Sequence, residues 1–226
     1  MISYLIIFSA LFLGLFFLAS FRMNLNIYLR SFCSDSEEEG RAIMITFDDG
    51  PHPEYTAEVL DILKSRDVKA IFFLIGERAL KYPELVKRIS AEGHMIGIHS
   101  LRHTPEFTIY SKKRVKRDIE ATIKILEEIS GLSVKLFRPP YGVTNPSIGK
   151  AVNDLGLMAI GWNIRSFDTV TSNDINRTKR RVLKRIKHGS ILLLHDRLPN
   201  SARLLEEILD YLKENNYEAR IFKKIR

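Results

Sequence analysis

Cysteine is almost absent from this chain, which has one, Cys33, among its 226 residues. A single cysteine excludes an intramolecular disulfide framework and a cysteine-rich zinc site, so any bound metal must have nitrogen and oxygen ligands. Internal repeats are absent as well. The chain is 45% hydrophobic and 27% charged, which is the composition of a globular protein with one substantial domain.

Charged side chains are missing from residues 2–21, a stretch rich in Leu, Ile and Phe that is long enough to cross a bilayer as a helix. It lacks the basic start and the small-x-small cleavage site of a secretory signal, so we predict an uncleaved membrane anchor over residues 1–21, with a signal sequence as the alternative. Residues 22–40, polar and acidic from residue 31, are interpreted as a linker to a domain at 41–226. Mixed charges after the apolar stretch leave the orientation open, and we expect a single-pass membrane protein with its domain on the outer, envelope side.

Two basic runs, at residues 112–117 and 177–187, supply most of the formal net charge of +8. Apolar residues recur at helical spacing within both runs, so each is interpreted as a solvated helix face. Attraction to an anionic polymer or a membrane surface is the alternative. No nucleic-acid-binding motif accompanies the charge, and nucleic acid is not an expected partner.

From residue 41 onward, apolar runs alternate with amphipathic helical patterns. About seven such strand–helix units predict a parallel sheet covered by helices. The carboxyl ends of parallel strands meet at one mouth in a barrel, whereas in an open sheet only the strands at the crevice meet. We therefore predict an α/β fold, a distorted (β/α)7 barrel, because polar residues follow four different predicted strands: Asp48 and Asp49, His99, Arg138, and His195.

Two adjacent carboxylates, Asp48 and Asp49, end the apolar run 42–47 and precede Gly50-Pro51. Successive side chains of a strand point to opposite faces, so the two acids can serve one site only if the chain leaves the strand there, and the Gly-Pro turn allows this. One acid could then face a metal and the other a reacting water, as metal-assisted hydrolysis requires. An ordinary Asp-Gly turn after a buried strand is the alternative.

His99 and His103 stand four residues apart, a spacing that places both imidazoles on one side of a helical turn and within reach of one ion. A chance pair at a polar surface is the alternative. Together with Asp49 they form a set of two histidines and one carboxylate, which recurs in catalytic sites for divalent metals. Zinc is the expected metal, and cobalt or nickel is compatible with the same ligands.

Two further sequence motifs place a polar residue just after an apolar strand. Arg138 precedes two prolines, and we expect it to hold a carboxylate in its ionised form by charge pairing; a rigid surface turn is the alternative. His195 follows the apolar residues 191–194 and could protonate a leaving amine as a general acid. A capping or merely solvated histidine is the alternative.

These motifs and their order, from Ile43 to about Asp196, resemble the polysaccharide deacetylases that carry the NodB homology domain, carbohydrate esterase family four. The resemblance implies that residues 41–226 are such a domain. It also implies a catalytic base and three metal ligands, which map onto Asp48 and onto Asp49, His99 and His103.

The resemblance assigns four more residues. Arg138 would orient the base, and His195 would be the general acid. Leu193 would line the pocket for the acetyl group, and the backbone N–H of Tyr141 would help hold the oxyanion. The implied reaction is metal-dependent removal of N-acetyl groups from amino sugars of a polysaccharide or oligosaccharide, so an N-acetylated glycan is the expected partner.

The fourth motif departs from the pattern of the resembling family, W-x-x-D-x-x-D-W. Here it begins at Trp162, a candidate sugar-binding residue, and its Asp168 matches the acid that tunes the catalytic histidine. The earlier acid is replaced by Arg165 and the final tryptophan by Thr169, which removes an aromatic wall for a sugar. Two alternative functions therefore stay open: a related metal-dependent amide hydrolase with a small non-sugar substrate, and a non-catalytic glycan-binding protein.

Overall fold

The computed structural model describes residue 14, residues 16–171 and residues 174–225. The predicted anchor at residues 1–21 falls mainly outside these ranges, although residues 16–20 are described and helical. Within the described ranges, no helix is both long enough and apolar enough to cross a membrane.

A parallel sheet forms the centre of the fold. Its strands follow the order β1-β6-β5-β4-β3-β2-β8-β7, and β9 pairs with the beginning of β2 beside β3. The strands are β1 Ser31–Phe32, β2 Ala42–Asp48, β3 Ile71–Leu74, β4 Met95–Ile98, β5 Leu136–Phe137, β6 Met158–Ile160, β7 Ile164–Arg165, β8 Ser190–His195 and β9 Glu218–Ala219.

Seven α-helices connect or cover these strands in the described part of the chain. They are α1 Tyr55–Ser65, α2 Gly76–Lys81, α3 Pro83–Ala91, α4 Lys112–Ser130, α5 Pro146–Asp154, α6 Ile175–Leu183 and α7 Ser201–Glu214. The two basic runs lie at the start of α4 and within and just after α6. Both helices bury apolar positions between their charges, among them Val115 and Ile119 in α4 and Val182 in α6. The helical spacing predicted for these runs is therefore confirmed for residues 112–117 and 177–183.

The central strand β2 shows how the sheet separates two cores. All seven of its residues are buried, as is usual for an inner strand of a parallel sheet. Ile43 and Ile45 pack into the larger cluster that includes residues of the helices, whereas Ala42 and Met44 pack into a smaller cluster with Phe73. The smaller cluster fills the inner face of a curled sheet, and the helices cover the outer face of that sheet.

The predicted α/β class and the parallel sheet are confirmed, but closure into a (β/α)7 barrel is not. The sheet is a half-barrel, because no pairing joins β1 to β7 among the described residues. Residues 161–163 carry the chain from β6 to β7 across this gap without forming a strand. β1 pairs with the edge of β6 that faces away from β5, with Ser31 opposite Ala159. β7 therefore cannot pair with that edge.

The prediction that residues 22–40 form a linker is wrong. This segment supplies β1 and buries Leu29, Asp35 and Glu38. Glu38 lies 3.0 Å from Arg220, and Asp35 lies 3.1 Å from Lys224. The acidic composition that suggested a solvated linker reflects ion pairs with basic residues near the other end of the chain.

Candidate active site

The polar residues that follow the predicted strands meet at the carboxyl edge of the curled sheet. Asp48 and His195 are direct neighbours in the register of β2 and β8. Asp49, His99, His103 and His195 line the same open cleft, which has about 130 Å³ of free space. The parallel arrangement explains this convergence, because every strand delivers its last residue to the same edge.

The two adjacent carboxylates are separated by a change in backbone conformation. Asp48 ends β2, whereas Asp49 has a φ of 72°, in the left-handed region that few non-glycine residues adopt. Arg78 holds this turn by donating a hydrogen bond to the carbonyl oxygen of Asp49 at 2.9 Å. Both carboxylates are nearly inaccessible, and both face the cleft.

Asp49, His99 and His103 form a candidate metal site. Oδ1 of Asp49 lies 3.4 Å from Nε2 of His99 and 3.2 Å from Nε2 of His103. The three potential ligand atoms lie within 4.8 Å of one another. The helical turn expected from the spacing of the two histidines is absent: the chain bends, with φ of 70° at Ser100 and 55° at His103.

Two details of this trio fit a bound cation. Nδ1 of His99 lies 2.8 Å from the carbonyl oxygen of Arg138, which can only accept a hydrogen bond. His99 therefore carries its proton on Nδ1 and presents the lone pair of Nε2 to Asp49, the usual tautomer of a metal-bound histidine. Oδ1 of Asp49 is buried and has no hydrogen-bond partner among the described residues. An orphaned buried carboxylate oxygen is costly unless a cation contacts it.

The charge state of Asp49 also suits a cation ligand. Burial opposes its ionisation, but His99, His103 and His195, which carry positive charge when protonated, hold the pKa of Asp49 well below its ordinary value. The carboxylate is therefore ionised at neutral pH.

Arg138 is fully buried and contacts Asp48 directly. Its Nη1 donates to Oδ1 of Asp48 at 2.6 Å and to the hydroxyl of Thr46 at 2.8 Å. Its remaining donors bond the carbonyl oxygens of Ile160 and Gly161. These contacts fix the orientation of the Asp48 carboxylate, whose second oxygen lies 3.8 Å from Nε2 of His99.

His195 is paired with Asp168. Nδ1 of His195 lies 2.7 Å from Oδ1 of Asp168, and the backbone N–H of His195 donates to Oδ2 at 2.9 Å. Burial lowers the pKa of His195, but its hydrogen bond and charge pairing with Asp168, together with the charges of Asp48 and Asp49, outweigh this and raise it. His195 therefore stays protonated to a higher pH than a free histidine.

The comparison with known proteins identifies the family. A profile for the family "polysaccharide deacetylase" matches residues 35–160, which is more than half of the chain. The chain belongs to the polysaccharide deacetylase family. The resemblance seen in the sequence motifs is thus confirmed.

Similar family members come from several bacteria. The chain is 36% identical over 182 residues to a peptidoglycan-N-acetylglucosamine deacetylase of Bacillus cereus, covering 76% of this chain and 63% of that protein. It is 37% identical over 159 residues to a chitooligosaccharide deacetylase of Azorhizobium caulinodans, covering 70% of this chain and 75% of that protein. The chain thus spans less than two thirds of the length of the Bacillus cereus relative.

The fold of the peptidoglycan deacetylase PdaC from Bacillus subtilis is also similar to that of this polysaccharide deacetylase family member. The two superpose with a TM-score of 0.74 at 33% sequence identity, covering 82% of this chain and 89% of that one. The curled half-barrel is therefore shared with a solved structure of the family.

The residues predicted to contact the substrate lie around the same cleft of this family member. Leu193 is buried in β8, Trp162 is half-buried, and both line the cleft. Tyr141 has a φ of 60°, is 45% exposed, and donates its hydroxyl to the carbonyl oxygen of His103 at 3.2 Å. The structure thus brings all three to the site, and their roles stay predictions.

Sequence reasoning missed two residues that directly follow His195. Nε of Arg197 lies 2.9 Å from Oδ2 of Asp49. Asp196 is fully buried and accepts a hydrogen bond from the hydroxyl of Thr56 at 2.6 Å. Burial, with a smaller contribution from the charge of Asp49, raises the pKa of Asp196 to about 7. Their position next to a histidine at a strand end was the available signal.

Proposed function

We propose that this chain is a metal-dependent hydrolase that removes N-acetyl groups from amino sugars of a glycan. The observation that carries the proposal is the placement of Asp48 and His195 side by side at the ends of β2 and β8, next to the trio Asp49, His99 and His103. A fixed carboxylate and a protonated imidazole beside a three-ligand cation site provide the base, the acid and the charge that amide hydrolysis needs.

The donor set determines which ion the site would hold. Asp49, His99 and His103 leave further coordination positions open, and this ligand set suits zinc, with cobalt or nickel as substitutes. A divalent ion bound there supplies positive charge that lowers the pKa of water and polarises the amide carbonyl.

The proposed proton transfers use the two side chains that flank these ligands. Asp48, held by Arg138, accepts the proton of the attacking water, since an ionised and oriented carboxylate is required for that step. His195, held by Asp168, donates its proton to the departing sugar amine. The backbone N–H of Tyr141 is proposed as a hydrogen-bond donor to the developing oxyanion. Acetate and a free amino sugar are the products.

The names of the relatives support an N-acetylated glycan as substrate, either peptidoglycan or a chitin-like oligosaccharide. A membrane anchor at residues 1–21 with the domain on the outer side would place the cleft next to envelope glycans. A reporter fused to the C-terminus tests this arrangement: reporter activity on the outer side is expected, and activity confined to the cytoplasmic side would reject it.

Acetate release coupled to a metal assay tests the activity itself. The zinc-loaded full chain is expected to release acetate from N-acetylated oligosaccharides. Asp48→Asn removes the base and keeps all three ligands, so we expect retained zinc and a loss of acetate release of about 10²- to 10⁴-fold. Equal rates in the two proteins would reject Asp48 as the base. Bound metal without acetate release would favour the small-amide hydrolase. The absence of both bound metal and acetate release would favour the glycan-binding protein.

A further inference from the structure

A second group of side chains, separate from the ligand trio, lies at the open edge of the cleft where β7 ends. Arg165 is exposed there and lines the cleft. Its Cζ lies 4.8 Å from the centroid of the Phe167 ring and 6.0 Å from that of Trp162. These aromatic contacts hold the guanidinium at the cleft wall without neutralising its charge.

Arg165 differs from the other arginines of the site in its partners. Arg138 contacts Asp48, and Arg197 contacts Asp49. No carboxylate lies at ion-pair distance from Arg165 in the described part of the chain. A guanidinium carries five N–H donors and stays charged at any physiological pH. The donors of Arg165 are therefore available to a ligand in the cleft.

A second cation strengthens the positive potential at this edge. Cζ of Arg181, from α6, lies 4.0 Å from the centroid of the same Phe167 ring. Within the described ranges Arg181 also has no carboxylate partner, and its Nε is buried without a hydrogen-bond acceptor. Two cations without carboxylate partners against one ring raise the positive potential around Arg165.

We infer that Arg165 is a specificity-determining residue that binds a carboxylate carried by the glycan substrate. The inference rests on the proposed function, since it assumes that a glycan enters this cleft. The planar guanidinium matches a carboxylate through paired N–H donors, and Arg165 and the metal ligands line one cleft. A single acidic oligosaccharide can therefore contact both, whereas a neutral one leaves Arg165 to water.

The tryptophan beside Arg165 allows a test that does not depend on turnover. Trp162 is the chain's single tryptophan, so its fluorescence reports on ligand binding at this edge. The zinc-loaded full chain, carrying Asp48→Asn to prevent hydrolysis, is titrated with two probes of equal length. One is a peptide-free oligomer of alternating N-acetylglucosamine and N-acetylmuramic acid, which bears carboxylates. The other is a neutral N-acetylglucosamine oligomer.

We expect the acidic probe to bind about tenfold more tightly at low salt, the value of one charge-assisted hydrogen-bonded contact. High salt should reduce this preference. Adding Arg165→Gln should abolish it, and Arg165→Lys should retain part of it. Arg117→Gln is the matched control, because Arg117 is an exposed arginine on α4 and its loss changes the net charge equally.

Three outcomes would overturn the inference: equal affinity for the two probes, no binding of either, or an undiminished preference in the Arg165→Gln protein. Failure of the proposed function looks different. If the parent chain with Asp48 intact releases no acetate while the preference depends on Arg165, the hydrolase proposal is rejected and the carboxylate site stands.

Discussion

The two halves of the cleft differ in how firmly their side chains are held. In the inner half, Asp48, His99 and Arg138 are almost completely buried, and each has a short contact to a neighbour. In the outer half, between β6 and β7, Arg165 is exposed and Trp162 is half-buried, and ring contacts replace ion pairs.

This difference matches what the two halves are proposed to do. Groups that transfer protons or bind a metal must hold their geometry closely, and buried strand ends with several hydrogen bonds provide that rigidity. Side chains that recognise a substituent of the substrate tolerate replacement by other residue types, and they lie at an exposed edge. The two positions that depart from the resembling pattern, Arg165 and Thr169, line the cleft in the outer half, whereas Asp168 of the same motif is buried against His195.

Removing a metal ligand should lower activity as strongly as removing the proposed base Asp48. His99→Ala leaves the site with Asp49 and His103, and we expect loss of bound zinc and a drop in acetate release of about 10³-fold, because the ion contributes several kcal/mol to the transition state. Metal analysis and the acetate assay measure both. Wild-type protein stripped by a chelator should recover on adding zinc, whereas full recovery of the variant would contradict the assignment.

Breaking the Asp48–Arg138 pair should give the largest effect on stability. Arg138→Met leaves the Asp48 carboxylate buried without its cation, which should lower the free energy of unfolding by about 3–5 kcal/mol. Urea denaturation measures the change. Adding Asp48→Asn to this variant removes the stranded charge, so part of the stability should return. A double variant no more stable than Arg138→Met would show that the loss has another origin.

The Asp168–His195 pair should control the pH dependence. Burial lowers the pKa of His195, but the contact with Asp168 contributes most to the net rise. His195 must be protonated to act as the acid, so activity falls as pH rises through its pKa. Asp168→Asn should therefore move the alkaline limb of the kcat profile to lower pH, while zinc binding is retained. An alkaline limb at an unchanged pH would show that His195 is not the group that titrates there.

The smallest effect is expected for the stability of the outer half. Arg165→Gln removes an exposed side chain without an ion pair, so the free energy of unfolding should change by about 0.5 kcal/mol or less. The same urea assay used for Arg138→Met gives a direct comparison of the two arginines. A loss above about 2 kcal/mol would show that Arg165 supports the fold and would erase the difference between the two halves.

Individual residues show how far the sequence alone could lead. Asp49, His99 and His103 were grouped by chemistry, and the structure brings them together. The helical turn predicted from the spacing of the two histidines is wrong, because a bend with left-handed residues replaces it. Arg197 was missed, since its contact with Asp49 joins residues 148 positions apart. The linker predicted at residues 22–40 is wrong because the partners of this segment lie near the end of the chain, beyond the reach of a local pattern.

Local pattern determined the alternation of strands and helices, the parallel sheet and the ends of the strands where chemistry is concentrated, because hydrophobic periodicity is a property of neighbouring residues. Tertiary structure alone decided three things. It left the half-barrel open, since β1 occupies the free edge of β6. It buried the acids of the N-terminal segment against basic residues of the C-terminal segment. It left Arg165 without a carboxylate among the described residues, and that depends on which side chains meet in space.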